Sequence, residues 1–501
     1  MKTKSYKLIE SRTMKGYTFL LMMLAVFSCD DFAEVEPEDR IDATTFFAND
    51  LEVVIGVNGA YAAQRGIFGD MQSFNLLETR SDNTVQNTNE QAERFETDTF
   101  EEGIGNLPNL VVWGRMYNVI NLANLVITRG PDAQGDANLI SRAVGEAKFL
   151  RAFSYFHMVV MWGGVPLRLE PIKDFGDESQ TIVPRSTATQ VYDQIVSDLN
   201  DATATLPDSY AGGLNKEKGR ATRLAALTLL GKVQLQRGNI SEAVTALRQV
   251  EGRYSLLADY SNIHSSGNNN SAESIFEINF LPGNQTAYGL NNGFLPLSEA
   301  TRFGIVLGGG AAGELGVRPS LDMINIFEPG DLRLAASIGF LNDDPNAEAY
   351  VNKFVDYTAG VNGHNMNIVA LRYADVLLML AEALGEGAES YELINMVRRR
   401  GFGLDSTVPD PAVDVDGTTT GTFIEKVMDE RRRELAFELH RWIDLLRLPQ
   451  ADVLNIMNTH LNNEPEYSGD VFNLTANNLL YPIPTSEVES SGGVVAQNPG
   501  F

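Results

Sequence analysis

Between Glu430 and Arg447 the chain packs nine charged residues into eighteen positions: Glu430, Arg431, Arg432, Arg433, Glu434, Glu438, Arg441, Asp444 and Arg447. Two carboxylates on one surface can share the acid and base roles of a hydrolase. On a helix, Arg431–Glu434, Glu438–Arg441, Arg441–Asp444 and Asp444–Arg447 stand three residues apart, where side chains meet. Arginines so placed hold the carboxylates ionised and remove the protonated acid that such chemistry needs. The segment therefore reads as a structural ion-pair network. His440 inside it has no second histidine at a metal-binding spacing, H-E-x-x-H is absent, and five histidines over 501 residues form no cluster. Gly308, Gly310 and Gly313 fit G-x-G-x-x-G, but a dinucleotide site needs a helix starting at the last glycine. Here the next helix, Ser320 to Phe327, opens only after Pro319. No G-x-S-x-G elbow and no nucleophile paired with a base is found. No catalytic residue, metal or cofactor is expected.

One side chain does carry chemistry by its position. Cys29 is the only cysteine, so no intrachain disulfide can form. Lys2, Lys4, Lys7, Arg12 and Lys15 precede an apolar run of 11 residues, Tyr17 to Phe27. That run is too short to span a bilayer, which takes about 20 residues, and suits the apolar part of a secretory signal. Ala25-Val26-Phe27-Ser28-Cys29 then resembles the lipobox of bacterial lipoproteins, with Phe27 bulkier than usual there. In that class the thiol is acylated and Cys29 becomes the N-terminus. Met14 is an alternative start that leaves a shorter signal, and Asp30-Asp31 reads equally as a surface-export signal of Bacteroidetes lipoproteins or as a solvated linker.

Removing residues 1–28 takes away five basic and one acidic side chain and moves the formal net charge from −27 to about −31. Such a surface repels nucleic acid and bare anionic membrane, so no nucleic-acid role is expected and a lipid must supply the attachment. The remaining roughly 470 residues carry no long Pro/Gly/Ser linker between domains. Ser265 to Asn270, Gly308 to Gly313 and Thr418 to Thr420 read as loops inserted in one helical body.

Helical periodicity dominates. Ala147, Leu150, Phe153, His157 and Val160 recur at steps of three or four along Ala143 to Val160. Thr222 caps a helix over Arg223 to Arg237, Gly238-Asn239 stops it, and Ser241 caps a second over Glu242 to Val250. Gly231, Gly238, Ala243 and Leu247 hold the small and apolar positions of a tetratricopeptide repeat. A second pair is expected over Leu371 to Leu384 and Tyr391 to Arg400, trimmed by the short link with Gly385 and Gly387. Thr422 to Leu446 is another helical stretch. Ser274 to Phe280 and Phe303 to Leu307 alternate and suggest small hairpins outside the helices.

Seven blocks in order resemble the SusD/RagB family of outer-membrane nutrient-binding lipoproteins, from about Phe47 to the C-terminus. They are Trp113, Tyr117, Ile120 and Asn124; Gly145 to Ala152 with Trp162-Gly163-Gly164-Val165-Pro166-Leu167; Arg185-Ser186-Thr187 through Leu206-Pro207; Gly219-Arg220-Ala221-Thr222; Leu371 to Leu378 with Ile394 to Arg398; Glu430 to Glu438 with His440-Arg441-Trp442; and Tyr481-Pro482-Ile483-Pro484 with Gln497 to Phe501.

The resemblance implies a mostly α fold, an irregular TPR-like helical superstructure with loop-rich, small-hairpin insertions. It implies a signal peptide over 1–28 and a single SusD-like domain over 29–501, its N-terminal part about 29–225 and its C-terminal part about 270–501. It implies cell-surface glycan binding for a SusC-like TonB-dependent transporter, at the outer membrane through a lipid on Cys29. Trp113, Trp162 and Trp442 fall in shared blocks and are expected in the core, so ligand contacts should come from variable loops. Sugar C–H faces stack on aromatic rings while planar polar groups read hydroxyls. The candidates are Phe68, Asp82, Asn83 and Asn87 early in the chain, Tyr288, Asn291, Arg302 and Phe303 in the mid-chain insertion, and Tyr357 beyond it. Peptide or glycopeptide capture by the same architecture, and less favourably a secreted glycoside hydrolase, stay open.

Overall fold

Side-chain caps set where the long helices begin. In the computed structural model, which describes residues 46–69, 71–86, 92–172, 176–210, 219–280, 293–305, 316–357 and 366–501, ten helices run nine residues or more among the described residues. Helix α1 (Asp50–Phe68) starts at Asn49, whose Oδ1 accepts from the Glu52 amide at 3.1 Å. Asn106 and Asp136 do the same for α2 (Leu107–Arg129) and α3 (Ala137–Trp162). A capping box of Thr187 and Gln190 opens α4 (Ala188–Thr205), and Thr222 caps α5 (Arg223–Gln236) through the Ala225 amide. Each such cap satisfies an amide that the helix leaves unpaired and is worth about 1 kcal/mol.

Each helix packs on the next through α6 (Ile240–Arg248), and α1 also touches α3. Helix α3 is central: from Ala147 to Trp162 every residue except Lys148 is buried, so its apolar surface is wider than one stripe. Helix α2 is long and apolar enough to cross a bilayer, but half of that stretch is buried against α1 and α3, the packing of a core helix. Helices α5 and α6 approach closely because Gly231 has no side chain: a Cβ there would lie 2.6 Å from the Leu247 side chain. Gly238, at φ 75°, takes the left-handed conformation that ends the first helix of the pair. The second helix begins at Ile240 behind Asn239, two residues before the expected start.

The stack continues across a large insertion. Helix α7 (Tyr373–Leu384) packs on α6 although residues 249–372 separate them. Helix α8 (Ala388–Gly401) follows after three residues at full length, so the two glycines of the link do not trim the pair. The six described strands form three two-stranded antiparallel pairs. Near the start of the chain β1 (Thr84–Gln86) pairs with β3 (Val317–Pro319). Strand β2 (Ser274–Ile278) pairs with β6 (Ile368–Arg372), which delivers the chain to α7, and β4 (Ile338–Phe340) pairs with β5 (Ala349–Val351). Ser274 to Ile278 thus finds a partner about 90 residues away instead of a local hairpin. Phe303 ends a short helix, Leu297–Phe303, and is not in a strand.

Helix α9 (Phe423–Glu434), opened by a Thr422–Glu425 capping box, stops well before Leu446. Phe437 and Leu439 take φ of 65°, turning the chain sharply before the short helix Arg441–Leu445. A last long helix, α10 (Gln450–Asn463), precedes the C-terminal segment. Trp162 and Trp442 are wholly buried and Trp113 nearly so, Trp113 and Trp162 meeting edge to face at 5.1 Å. All three belong to the core.

Candidate ligand-binding site

The charged segment folds into a buried lattice, built across the fold and not along one helix. The Glu434 carboxylate receives Arg333 at 3.1 Å together with Arg372 and Arg400. Arg372 also reaches Glu273 (2.9 Å) and Glu438 (2.7 Å), and Arg333 reaches Asp331 (2.7 Å) and Glu430 (2.6 Å). Arg431 lies between Asp375 (2.8 Å) and Asp444 (2.9 Å). Of the four pairs expected at three-residue spacing only Asp444–Arg447 forms, at 2.9 Å; Arg431 turns instead to Asp375 and Asp444, Arg441 to Asp82, and the turn at Phe437 to Leu439 parts Glu438 from Arg441. Burial pushes the Glu430 carboxyl up, but Arg333, Arg398 and Arg433 outweigh it and hold it at about 2. Burial likewise lowers His440 to about 3 and leaves it neutral. Ionised, arginine-clamped carboxylates donate no proton, so the lattice is structural. Burial raises several carboxyls elsewhere, most of all Glu78, to about 7, and Asp98, to about 8, and these two lie fully inside the fold.

Above this lattice the insertion opens a cavity of about 720 Å³. Its walls come from the loop at Asp259 to Ser266, the short helix Arg333–Ser337 and the segment Asn352 to Tyr357. At its base Lys353 donates to Tyr260 Oη (2.6 Å), Glu438 (2.8 Å) and the Glu434 carbonyl (3.5 Å). Tyr260 in turn donates to the Glu434 carbonyl at 2.7 Å. The His264 ring stands edge-on to Phe354, with Nε2 3.3 Å from Glu438, and burial lowers its pKa so that it stays neutral. The turn that broke the long helix thus aims Glu438 and the Glu434 carbonyl at the cavity base.

At the mouth stands an aromatic pair. Gly304 in the left-handed conformation ends the helix Leu297–Phe303 and leaves Phe303 42% exposed. Its ring meets Tyr357, 39% exposed, at 4.7 Å and 71°. The Arg302 guanidinium lies 4.8 Å from the Phe303 ring and is tied to Glu299 (2.7 Å) and Asp343. Tyr357 Oη donates to Asn352 Oδ1 at 2.6 Å and shares a hydrogen bond with Tyr350 Oη at 3.1 Å. Tyr357 and Asn352 also line the cavity, so platform and cavity are continuous. Paired rings beside a planar cation, opening on a hydroxyl-rich hollow, are the elements that hold a sugar.

The structure thus brings together Arg302, Phe303 and Tyr357. It takes three other expected contacts away from the surface. Phe68 is buried against Phe153 (5.6 Å) and His157 (5.4 Å). Asp82 is buried in a two-pronged pair with Arg441 at 2.7 and 2.8 Å, and Asn83 bonds Glu78 and Arg432. Their polar groups are engaged by the C-terminal arginines, so they hold the fold and do not face a ligand. Asn87, Tyr288 and Asn291 lie outside the described residues, as do Cys29, Asp30, Asp31 and the glycines from Gly308 to Gly313. Sequence reasoning missed Tyr260, His264, Asn352 and Lys353, which no motif marks. Among the described residues no group of three or more His, Cys, Asp or Glu is placed to hold a metal.

Two family profiles match the chain: the SusD family over residues 332–501, and a family described as starch-binding and associating with the outer membrane over residues 31–235. A SusD-like protein of Formosa agariphila is 25% identical across 97% of this chain and all of its own length. Another from the same organism is 28% identical, covering 93% of this chain and 95% of its own. Among solved structures, a laminarin-binding SusD-like protein is 26% identical over 91% of this chain and all of its own, with a TM-score of 0.74. A SusD homologue from Bacteroides thetaiotaomicron shares the fold at a TM-score of 0.77 over 92% of this chain and 99% of its own.

Proposed function

We propose that this chain, which belongs to the SusD/RagB family, captures a glycan on the Phe303–Tyr357 platform and in the cavity behind it. Family members are binding proteins, and glycan binding is supported by the starch-binding profile and the laminarin-binding relative. The observation that carries the site is the continuity of the exposed ring pair with the 720 Å³ cavity through Tyr357 and Asn352. In this reading sugar rings stack on Phe303 and Tyr357, Arg302 and Asn352 read ring hydroxyls, and the ligand is held without being cleaved. A shallow, half-open site of this kind gives micromolar to millimolar affinity, about −4 to −8 kcal/mol.

Such affinity suffices when the protein is tethered. Acylation of Cys29 would moor it to the outer membrane, and a SusC-like TonB-dependent transporter would receive the captured chain. Holding ligand beside the pore raises its effective concentration without any new contact, and energy would come from the transporter.

Isothermal titration of the mature chain with laminarihexaose tests the site. Tyr357→Ala and Phe303→Ala should each weaken binding by about 1–2 kcal/mol, roughly tenfold, with an unchanged melting temperature. Unaltered affinity in both variants, or binding of peptides in place of every glycan tried, would refute the proposal.

A further inference from the structure

We infer that the cavity selects uncharged oligosaccharides and rejects glycans carrying uronate or sulfate groups. The inference rests on the site proposed above and concerns only which ligands that site accepts. A sugar acid is held by a cation with hydrogen-bond donors to spare, usually an arginine fork or a lysine ammonium. Both cations lining the cavity, Lys353 and Arg400, are already engaged. All three donors of the Lys353 ammonium are spent, on Tyr260, Glu438 and the Glu434 carbonyl. Arg400 is held by Glu273 (2.8 Å) and Glu434; Arg302 stands outside the cavity, paired with Glu299 (2.7 Å) and Asp343. His264 is buried and neutral.

Negative charge, by contrast, is present, and at Asp259 it is turned outward. Asp259 and Asp356 both line the cavity, and Asp259 is exposed and answered only by the Ser261 amide and hydroxyl and the Asn262 amide group. The sequence extends the point beyond the described residues. From Tyr254 to Val317 Arg302 is the one lysine or arginine, against five acids, and residues 358–365 contain neither. Inside the cavity an anionic group would have to displace a buried carboxylate from Lys353 or Arg400 or sit unpaired beside Asp259, and the chain's net charge of −27 adds repulsion at long range. A neutral sugar meets none of this: the rings, Asn352 and the serines of the Ser261 to Ser266 loop ask only for C–H faces and hydroxyls.

The test is titration of the full mature chain with three probes of equal length: laminarihexaose, hexagalacturonate and a sulfated galactan hexasaccharide. The neutral probe should bind at least tenfold more tightly than either anionic one at low salt, with an affinity that does not change as salt is raised. Screening by salt should narrow the gap, and Asp259→Asn should narrow it several-fold at low salt. Tyr357→Ala separates the two layers of argument. If an anionic probe binds as tightly as the neutral one, loses affinity with salt and is lost in Tyr357→Ala, the site stands and the neutral selectivity is overturned. If Tyr357→Ala leaves binding of all three untouched, the site itself is wrong and the selectivity falls with it.

Discussion

Replacing Glu434 with glutamine tests the lattice that supports the cavity. Glu434 is wholly buried at the end of α9, where its carboxylate meets the guanidinium groups of Arg333, Arg372 and Arg400. Glutamine preserves the volume and one acceptor oxygen, removes the charge, and turns an amide NH2 toward an arginine. A hydrogen bond to a charged group contributes about 1.5–3 kcal/mol, so three set an upper limit of roughly 5–9 kcal/mol. Each arginine keeps another carboxylate: Asp331 and Glu430 for Arg333, Glu273 and Glu438 for Arg372, Glu273 for Arg400. The loss should therefore fall near ~3–5 kcal/mol, the range for breaking a buried ion pair on one side. Burial raises the Glu434 carboxyl, but Arg400, Arg372 and Arg333 outweigh it and hold the pKa below the ordinary value. A depressed carboxyl stabilises the fold above its unfolded pKa of about 4.3 and stops doing so as pH falls through its folded pKa. Denaturant titration should thus show the full gap between wild type and Glu434→Gln at neutral pH, shrinking below about pH 4. The half-buried surface pair Arg248–Glu251 is the control, since Glu251→Gln should cost under ~0.5 kcal/mol. A gap for Glu434→Gln below about 1 kcal/mol at neutral pH, or one that does not change in acid, would refute the reasoning.

Asp98 carries the opposite sign. Burial lifts its carboxyl to about 8, although Tyr467 and the Gln86 amide bond it, so stability falls as pH rises from the unfolded value of about 3.9 toward 8. Asp98→Asn should match wild type near pH 4 and exceed it by ~2–4 kcal/mol at pH 8, and a variant less stable at pH 8 in thermal melts would contradict this. Cys29→Ser should abolish metabolic labelling by palmitate and move the protein out of the membrane fraction, and persistent membrane recovery would remove the lipid anchor.

What the sequence could show, and what it could not, divides along the range of the interactions. Thr222 and Thr422 were readable as helix starts because a cap involves residues two or three apart. Gly231 was readable as a close approach because its partner Leu247 lies in the very next helix. The lattice was readable as ion pairs but not in its pairing, because three-residue spacing says nothing about Asp82, which meets Arg441 from 359 positions away. The same distance hid the fate of the early loop. Phe68, Asp82 and Asn83 look like loop residues until the C-terminal arginines and α3 cover them. Arg302, Phe303 and Tyr357 were readable one by one as aromatic and planar groups outside the helices, yet only β4, β5 and the strand closure at β6 bring 303 beside 357. The cavity base left no trace at all: Lys353 and Tyr260 are 93 residues apart, and each is an ordinary residue until the other arrives. That asymmetry supports the selectivity argument in a specific way. Pairing cannot be read from spacing, but supply can: from Tyr254 to Val317 the chain offers no lysine or arginine except Arg302, and the two cations lining the cavity are consumed by the fold.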